Sequence, residues 1–233
     1  MPRKPLIVTP QELKSFIQVA LAKSIDLKDE GKFKGRTGSN SLRSARFVWE
    51  ISKCLWNSYA DRPHLERFVQ IVHDDGTKEG GEWMLDVAIA HTLPFLATKA
   101  QSLVNTELVW AVESEYSTRR EEFAKDFGKL LCVRSENKLY LNGFNHPIGH
   151  EGRFIDNRVQ ETSAFLAHAS TIGGNSQISG FDSGTLYLSF WPSPERDPNG
   201  KASLWDTRNK SDLVGSVRLF KFDWERRKFE EIN

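Results

Sequence analysis

The amino-acid sequence predicts an α/β (α+β) fold with a central mixed β-sheet flanked by helices. Three observations lead to this prediction: helical periods near the start of the chain, two apolar strand-like runs in its middle, and later strand-like runs separated by helical periods. The 233 residues, 39% of them hydrophobic, suit one domain with a sizeable core. We divide this single domain, 1–233, into a helical, basic segment at 1–75, a core at about 80–140, and C-terminal strands and loops at 141–233.

Helices are predicted for the first third of the chain. Apolar residues recur on one face of a helical period at 10–25 and again at 41–60 ("SLRSARFVWEISKCLWNSYA"). In the second of these helices, Arg46 and Glu50 fall on the polar side. The run "HLERFVQIVH" at 64–73 is predicted to be a further short helix.

The middle of the chain alternates between strand-like and helical patterns. "EWMLDVAIA" and "ELVWAVESEY" are apolar runs of strand length, and "STRREEFAKDFGKLL" follows with a helical period. Thr118 and Glu121 are spaced as a capping box at the start of this helix. The later predicted elements are the strands "LLCVRS" and "KLYLNGF", the helix "NRVQETSAFLAHAS", and the strands "GTLYLSFWPS" and "VGSVRLFKFDW".

Three acidic residues occupy unusual places in the two middle strands. Glu113 and Glu115 end an apolar strand and point to the same face, because strand side chains alternate. Asp86 lies in the preceding apolar run, where an ionised carboxylate without a partner is costly. If the two strands are neighbours, the three carboxylates converge and require a cation. Mg²⁺ or Mn²⁺ suits such oxygen ligands, and the main-chain carbonyl of Ser114 is a further candidate ligand.

These residues and their setting resemble the PD-(D/E)xK superfamily of restriction-endonuclease-like nucleases. The shared features are a strand with Asp86, a strand with Glu113 and Glu115 two residues apart, then a helix and another strand, over about 42–140. The resemblance implies that Asp86 and Glu113 hold the metal. It also implies that Glu115, at the position where the superfamily usually has a lysine, helps to activate water.

The resemblance extends to residues on the two neighbouring helices. Superfamily members often carry an acidic residue on a helix before these strands, and Glu50 is the candidate here. Some members carry the lysine on the following helix, where this chain has Lys125 and Lys129. The resemblance thus implies a restriction-endonuclease-like core in which Glu50 joins the three strand carboxylates as a catalytic residue.

The distribution of charge predicts a nucleic-acid partner. The first 60 positions hold eleven Lys and Arg residues and five Asp and Glu residues and so carry +6, whereas the whole chain carries +1. The segment "GKFKGRTGSNSLRSAR" at 31–46 contains five cations and no acid, which suits a phosphate backbone. The residues predicted to bind nucleic acid are Lys32, Lys34, Arg36, Arg43 and Arg46.

The function predicted from these features is hydrolysis of DNA phosphodiester bonds by an endonuclease that requires Mg²⁺ or Mn²⁺. RNA is the second nucleic acid that the basic segment suits, and a second copy of the chain, in a homodimer, is a further partner to test. The alternative is a catalytically inactive, nuclease-like module that binds nucleic acid or a protein, because the usual lysine is absent from the strand. The chain has neither a signal-peptide core nor a run of roughly 18 apolar residues, so we expect a cytoplasmic protein without membrane attachment.

Each feature also has a simpler interpretation. The two strand glutamates can be exposed charges at a strand end, and Asp86 can be a turn residue held by backbone amides. Glu50 can form an i, i+4 ion pair with Arg46, and the basic segment can be a solvated loop.

Two rival sites are less favoured by the sequence. His146 and His150, followed by Glu151, are residue types that bind zinc, but Pro147 and Gly149 prevent the two rings from sharing a helical face. A sugar-hydrolysing carboxylate pair is also disfavoured, because neighbours two apart on one strand cannot flank a substrate from two sides.

Overall fold

The computed structural model describes residues 8–26, 39–59, 64–74, 76–80, 84–94, 103–172, 184–196 and 202–233. Within these ranges the chain forms six helices and nine strands. In chain order they are α1 (Pro10–Ile25), α2 (Ser39–Asn57), β1 (Leu65–Val69), β2 (Ile71–Val72), β3 (Lys78–Glu79), β4 (Val87–Pro94), β5 (Leu103–Glu115), α3 (Arg120–Cys132), β6 (Ser135–Phe144), α4 (Gly152–Ile172), β7 (Thr185–Pro192), α5 (Leu204–Thr207), α6 (Lys210–Gly215), β8 (Arg218–Asp223) and β9 (Lys228–Ile232). No helix in the described ranges has both the length and the apolar character needed to cross a membrane.

Seven of the strands form one mixed sheet in the order β1-β4-β5-β6-β7-β8-β9, and β2 pairs with β3 separately. The central strands β5, β6 and β7 run parallel, whereas the outer pairs are antiparallel. The crossovers between the parallel strands are α3 and α4, since parallel neighbours need a long connection. The predicted α/β fold with a mixed sheet flanked by helices is therefore confirmed.

Helices cover both faces of this sheet, as two neighbouring residues of β7 show. Trp191 stacks on Phe47 of α2 with ring centroids 4.1 Å apart. Phe190, the preceding residue, meets Phe154 of α4 edge to face at 6.3 Å. Because successive strand side chains point to opposite faces, α2 and α4 lie on opposite sides of the sheet.

The same alternation determines which helix each side chain near the end of β5 faces. Trp110 donates its indole N–H to the hydroxyl of Tyr59, which follows α2, at 2.9 Å. Glu113 lies an odd number of residues away and points to the other side, where Lys129 of α3 approaches it. The even-numbered residues near the end of β5 therefore face α2, and the odd-numbered residues face α3.

Three local predictions are wrong. Residues 64–73 are not helical, because β1 pairs with β4 and β2 pairs with β3, and pairing with a neighbouring strand outweighs the local apolar period. Residues 130–132 complete α3, so the strand predicted at 130–135 begins only at Ser135. The predicted capping box is absent, since the N-cap of α3 is Arg119, whose side chain makes no capping hydrogen bond.

Candidate active site

Asp86 lies where β4 begins, beside the end of β5. The register pairs Val87 with Val112, so Asp86 and Glu113 are adjacent across the two strands. The Oδ2 atom of Asp86 accepts a hydrogen bond from the main-chain N–H of Ser114 at 2.6 Å. The sequence predicted that Asp86 lies inside a strand. In the structure the chain bends at Asp86, and the strand begins at the next residue.

Glu113 is a buried acid and not an exposed charge at a strand end. Its side chain is 2% exposed. Burial, followed by the charge of Asp86, raises the pKa of Glu113 to about 8, although Lys129 opposes the shift. The Oε1 atom is buried and has no hydrogen-bond partner within the described part of the chain. A buried carboxylate oxygen without a partner is costly, so the site has a place for a cation or a proton.

Lys129 reaches Glu113 from α3. Its Nζ atom lies 3.5 Å from Oε2 of Glu113 and 2.8 Å from Oδ1 of Asp126. Burial by itself lowers the pKa of Lys129, but the hydrogen bond to Asp126 and the charge of Glu113 outweigh this and raise it. Lys125 of the same helix is exposed. Of the two α3 lysines, it is Lys129 that contacts a predicted site residue.

Glu115 is half-buried and lies next to two acids of α3. Its Oε1 atom accepts a hydrogen bond from the main-chain N–H of Ser117 at 2.6 Å. Burial raises the pKa of Glu115, the Ser117 hydrogen bond opposes this, and the charge of Asp126 adds to it. Carboxylate oxygens of Glu115, Glu122 and Asp126 all lie within 4.8 Å of one another.

Sequence reasoning did not identify Glu122 and Asp126 as site residues. Asp126 is buried on the side of α3 that carries Phe123 and Phe127. The sequence does contain a signal for Asp126, because a charged residue on the apolar face of an amphipathic helix is unusual. Glu122 precedes Asp126 by four residues and so lies on the same side of the helix.

Glu50 takes part in an ion-pair cluster. Its buried carboxylate pairs with Arg46 at 3.0 Å, Lys53 at 3.2 Å and Lys23 of α1 at 3.3 Å. The i, i+4 pair with Arg46, considered above as the simpler interpretation, is present. A pocket opens beside Asp86, and the α2 residues that line it do not include Glu50. These contacts support a structural role for Glu50, so we do not include it in the candidate site.

The predicted nucleic-acid contacts divide into two groups. Three of them lie outside the described residues: Lys32, Lys34 and Arg36. Arg43 pairs with Asp206 at 3.1 Å, and Arg46 pairs with Asp74 at 3.1 Å as well as with Glu50. Because carboxylates of this chain already neutralise both guanidinium groups, phosphate contacts by Arg43 and Arg46 require these pairs to open.

A pocket of about 170 Å³ opens beside the carboxylates. It is lined by Asp86 and Glu115, together with Ser44, Lys78 and Tyr116, among others. Lys78 is exposed and supplies a cation beside two acids. An apolar cavity of about 150 Å³ admits benzene, so this polar pocket has room for one small ring or one phosphate group.

The rival zinc site receives no support from the structure. The ring of His146 stacks on Phe154 with centroids 5.0 Å apart, and a hydrogen bond from the N–H of His150 to the carbonyl of Pro147 closes a turn between the two histidines. Among the residues that the structure describes, one set of three or more potential ligand side chains converges, and it is the acidic set of β5 and α3.

Comparisons with protein-family models, with curated proteins and with solved structures gave no match to this chain. Function is therefore inferred from the geometry and chemistry of the site.

Proposed function

We propose that this protein is a nuclease that hydrolyses DNA phosphodiester bonds with Mg²⁺ or Mn²⁺. The observation that best supports the proposal is the meeting of Asp86, Glu113 and Lys129 at one end of the sheet. The order β4, β5, α3, β6 adds support, because it agrees with the resemblance to the PD-(D/E)xK superfamily. The lysine that is missing from β5 is supplied by α3, as in some members of that superfamily.

The carboxylates of Asp86 and Glu113 fit a divalent cation, with the main-chain carbonyl of Ser114 as a third candidate ligand. The specific support is the Oε1 atom of Glu113, which is buried and lacks a partner among the described residues. The raised pKa of Glu113 has the same physical cause, since its charge is buried beside Asp86. When bound, the cation would act as a Lewis acid on the phosphate and would make water more acidic.

The remaining side chains have roles that follow from their positions. Glu115 would orient the attacking water and accept its proton, and its raised pKa brings it closer to neutral pH, where a general base works best. The hydrogen bond from Ser117 fixes one oxygen of Glu115. Lys129 would stabilise the negative charge that develops on the phosphate, because its ammonium group is held beside Glu113.

DNA would approach along the pocket beside Asp86. Lys78 is exposed in this pocket, which Asp86 and Glu115 also line, and its charge suits a phosphate of the backbone. Contacts by Lys32, Lys34 and Arg36 stay predictions, and RNA remains the second substrate class to test.

Cleavage of supercoiled plasmid tests the proposal directly. We expect the purified protein to nick plasmid with Mg²⁺ or Mn²⁺ and to be inactive with EDTA. Glu113→Ala, Asp86→Asn and Lys129→Met should each lower the nicking rate by at least about a hundredfold, because each removes charge stabilisation from the transition state. Lys125→Met, an exposed lysine of the same helix, is the matched control and should retain the wild-type rate.

Two results would contradict the proposal. Unchanged nicking in Glu113→Ala would remove this site from the mechanism. Salt-sensitive DNA binding without cleavage under any divalent ion would instead favour the inactive, nuclease-like module, for which the absence of a lysine from β5 is the motivating observation.

A further inference from the structure

The three acids shared by β5 and α3 have the spacing of a cation site. One oxygen each from Glu115, Glu122 and Asp126 lies within 4.8 Å of the others. Opposite ligands of Mg²⁺ are about 4.2 Å apart, and opposite ligands of Ca²⁺ are about 4.8 Å apart. The three oxygens therefore have room to surround Ca²⁺ as they stand, and small side-chain movements would bring them to the shorter distances of Mg²⁺ or Mn²⁺.

A buried amide oxygen lies next to this group. Asn142 of β6 is fully buried, and its Oδ1 atom has no hydrogen-bond partner in the described ranges. Its Nδ2 atom donates to the carbonyl of Gly143 at 3.3 Å, which leaves Oδ1 as the atom that lacks an interaction. The register of the parallel strands pairs Asn142 with Glu115, so the two side chains share the face toward α3. An amide oxygen is a ligand type of hard cations, as a carboxylate is.

A second unsatisfied polar group borders the same acids. The hydroxyl of Tyr140 is buried and without a partner among the residues described. Tyr140 is paired in register with Glu113, and its ring lies edge to face against Phe123 and Phe127 of α3 at 4.9 and 5.5 Å. A tyrosine hydroxyl keeps its proton at neutral pH, so it is a hydrogen-bond donor for a nearby acid.

Acidic groups outnumber cations at this place. Lys129 pairs with Asp126 and contacts Glu113, and Lys78 lines the same pocket as Glu115, so two lysines lie near the four carboxylates of Glu113, Glu115, Glu122 and Asp126. Like charges this close repel one another unless a cation intervenes. A hard divalent cation would neutralise the excess and give the Asn142 oxygen a partner.

We propose that Glu115, Asn142, Glu122 and Asp126 form a binding site for a hard divalent cation, Ca²⁺, Mn²⁺ or Mg²⁺, beside the Asp86–Glu113 pair. Two ligands come from neighbouring parallel strands and two from α3, so the ion ties the helix to the sheet. The hydroxyl of Tyr140 would donate a hydrogen bond to one of the carboxylates when the ion is bound. This site does not depend on the proposed nuclease activity, because cation binding can be measured on the full chain without nucleic acid.

The site is tested by titrating the full chain with Mn²⁺ in the absence of DNA and measuring the heat of binding by calorimetry. Asp86→Asn provides the background, since it weakens the neighbouring cation position. We expect this variant to bind one Mn²⁺ with a Kd below about 1 mM. Adding Glu122→Gln should weaken binding at least about tenfold, whereas adding Glu121→Gln, the same change at the exposed neighbour, should alter it less than about twofold.

A gain-of-ligand variant gives an independent measurement. Asn142→Asp replaces the amide oxygen by a carboxylate oxygen and should tighten Mn²⁺ binding and increase the rise in Tm that Mn²⁺ produces. Equal weakening by Glu121→Gln and Glu122→Gln would overturn the proposal, as would loss of all Mn²⁺ binding in Asp86→Asn. Failure of the wild-type protein to cut DNA would overturn the proposed nuclease but would leave these titrations unchanged.

Discussion

Replacement of Lys138 by Met should stabilise the protein, and the gain should depend on pH. Lys138 lies in β6 and is only 2% exposed. Burial lowers the pKa of its ammonium group from 10.5 to about 8, while the nearby Cys132 opposes the shift. Folding at neutral pH must therefore place a charge in an environment that favours the neutral amine.

The lowered pKa sets the size of the effect. One pKa unit corresponds to about 1.4 kcal/mol, so ionised Lys138 lowers the free energy of unfolding by at most about 3 kcal/mol below pH 8. Lys138 also has an interaction in the folded state that Met would change. We therefore expect Lys138→Met to raise the free energy of unfolding by about 1–3 kcal/mol at neutral pH.

The pH dependence has a definite sign. Between pH 8 and 10.5 the unfolded chain holds the proton of Lys138 more tightly than the folded chain does. The contribution of Lys138 to the stability of the wild type therefore rises with pH in this window and stays constant, at its lower value, below about pH 8. The variant lacks this group, so the difference in stability between the two proteins should shrink toward zero as the pH approaches 10.5.

Urea unfolding followed by circular dichroism, at several pH values from about 7 to about 10.5, measures this difference. Lys125→Met removes an exposed lysine from α3 and should change the free energy of unfolding by less than about 0.5 kcal/mol. A difference between wild type and Lys138→Met that stays constant with pH would refute the reasoning, as would a variant less stable than the wild type at neutral pH.

Four further changes test the fold by urea unfolding. Gly184→Ala should cost at least about 2 kcal/mol, because the backbone φ is +82° and a Cβ atom would lie 2.2 Å from the carbonyl oxygen of Ser135. Gly128→Ala, in a helix with open space around it, should instead stabilise by about 1 kcal/mol, and the opposite order would contradict the geometry. Phe47→Ala should cost about 3–5 kcal/mol by removing the ring that stacks on a buried tryptophan. Glu50→Gln should cost about 2 kcal/mol, because three cations lose their shared carboxylate, and an unchanged midpoint would argue against that cluster.

The elements that were predicted well are those whose local pattern and tertiary environment agree. The helix predicted at 10–25 has the bounds of α1, and its capping box of Thr9 and Glu12 agrees with the local sequence. The segment 64–73 was mispredicted because β1 uses Phe68 and Val69 as partners of β4, and a partner strand cannot be read from the segment itself. The short pair β2–β3 depends in the same way on its partner.

The contacts of the candidate site could be predicted from the sequence where they follow from the pairing of strands that are consecutive in the chain. Asp86 meets Glu113 because consecutive strands form an antiparallel pair, which is the commonest arrangement of neighbours. The contacts of Lys129 with Glu113 and Asp126 depend on the rotation of α3 about its axis, and this is set by how Phe123 packs against the sheet. Sequence pattern gives the apolar face of a helix but not which strand residue each polar neighbour meets.

The acid at position 115 connects the two proposed cation positions. In the resemblance to the PD-(D/E)xK superfamily, a lysine usually occupies this place. Glu115 in place of that lysine changes the local charge by two, and this equals the charge of one divalent cation. Lys129 already interacts with Glu113 and Asp126, so it cannot also offset Glu115 and Glu122. A cation bound by Glu115 and α3 would add to the positive charge that Lys129 supplies beside Glu113, so the absence of lysine from β5 is compatible with the catalysis proposed at Asp86 and Glu113.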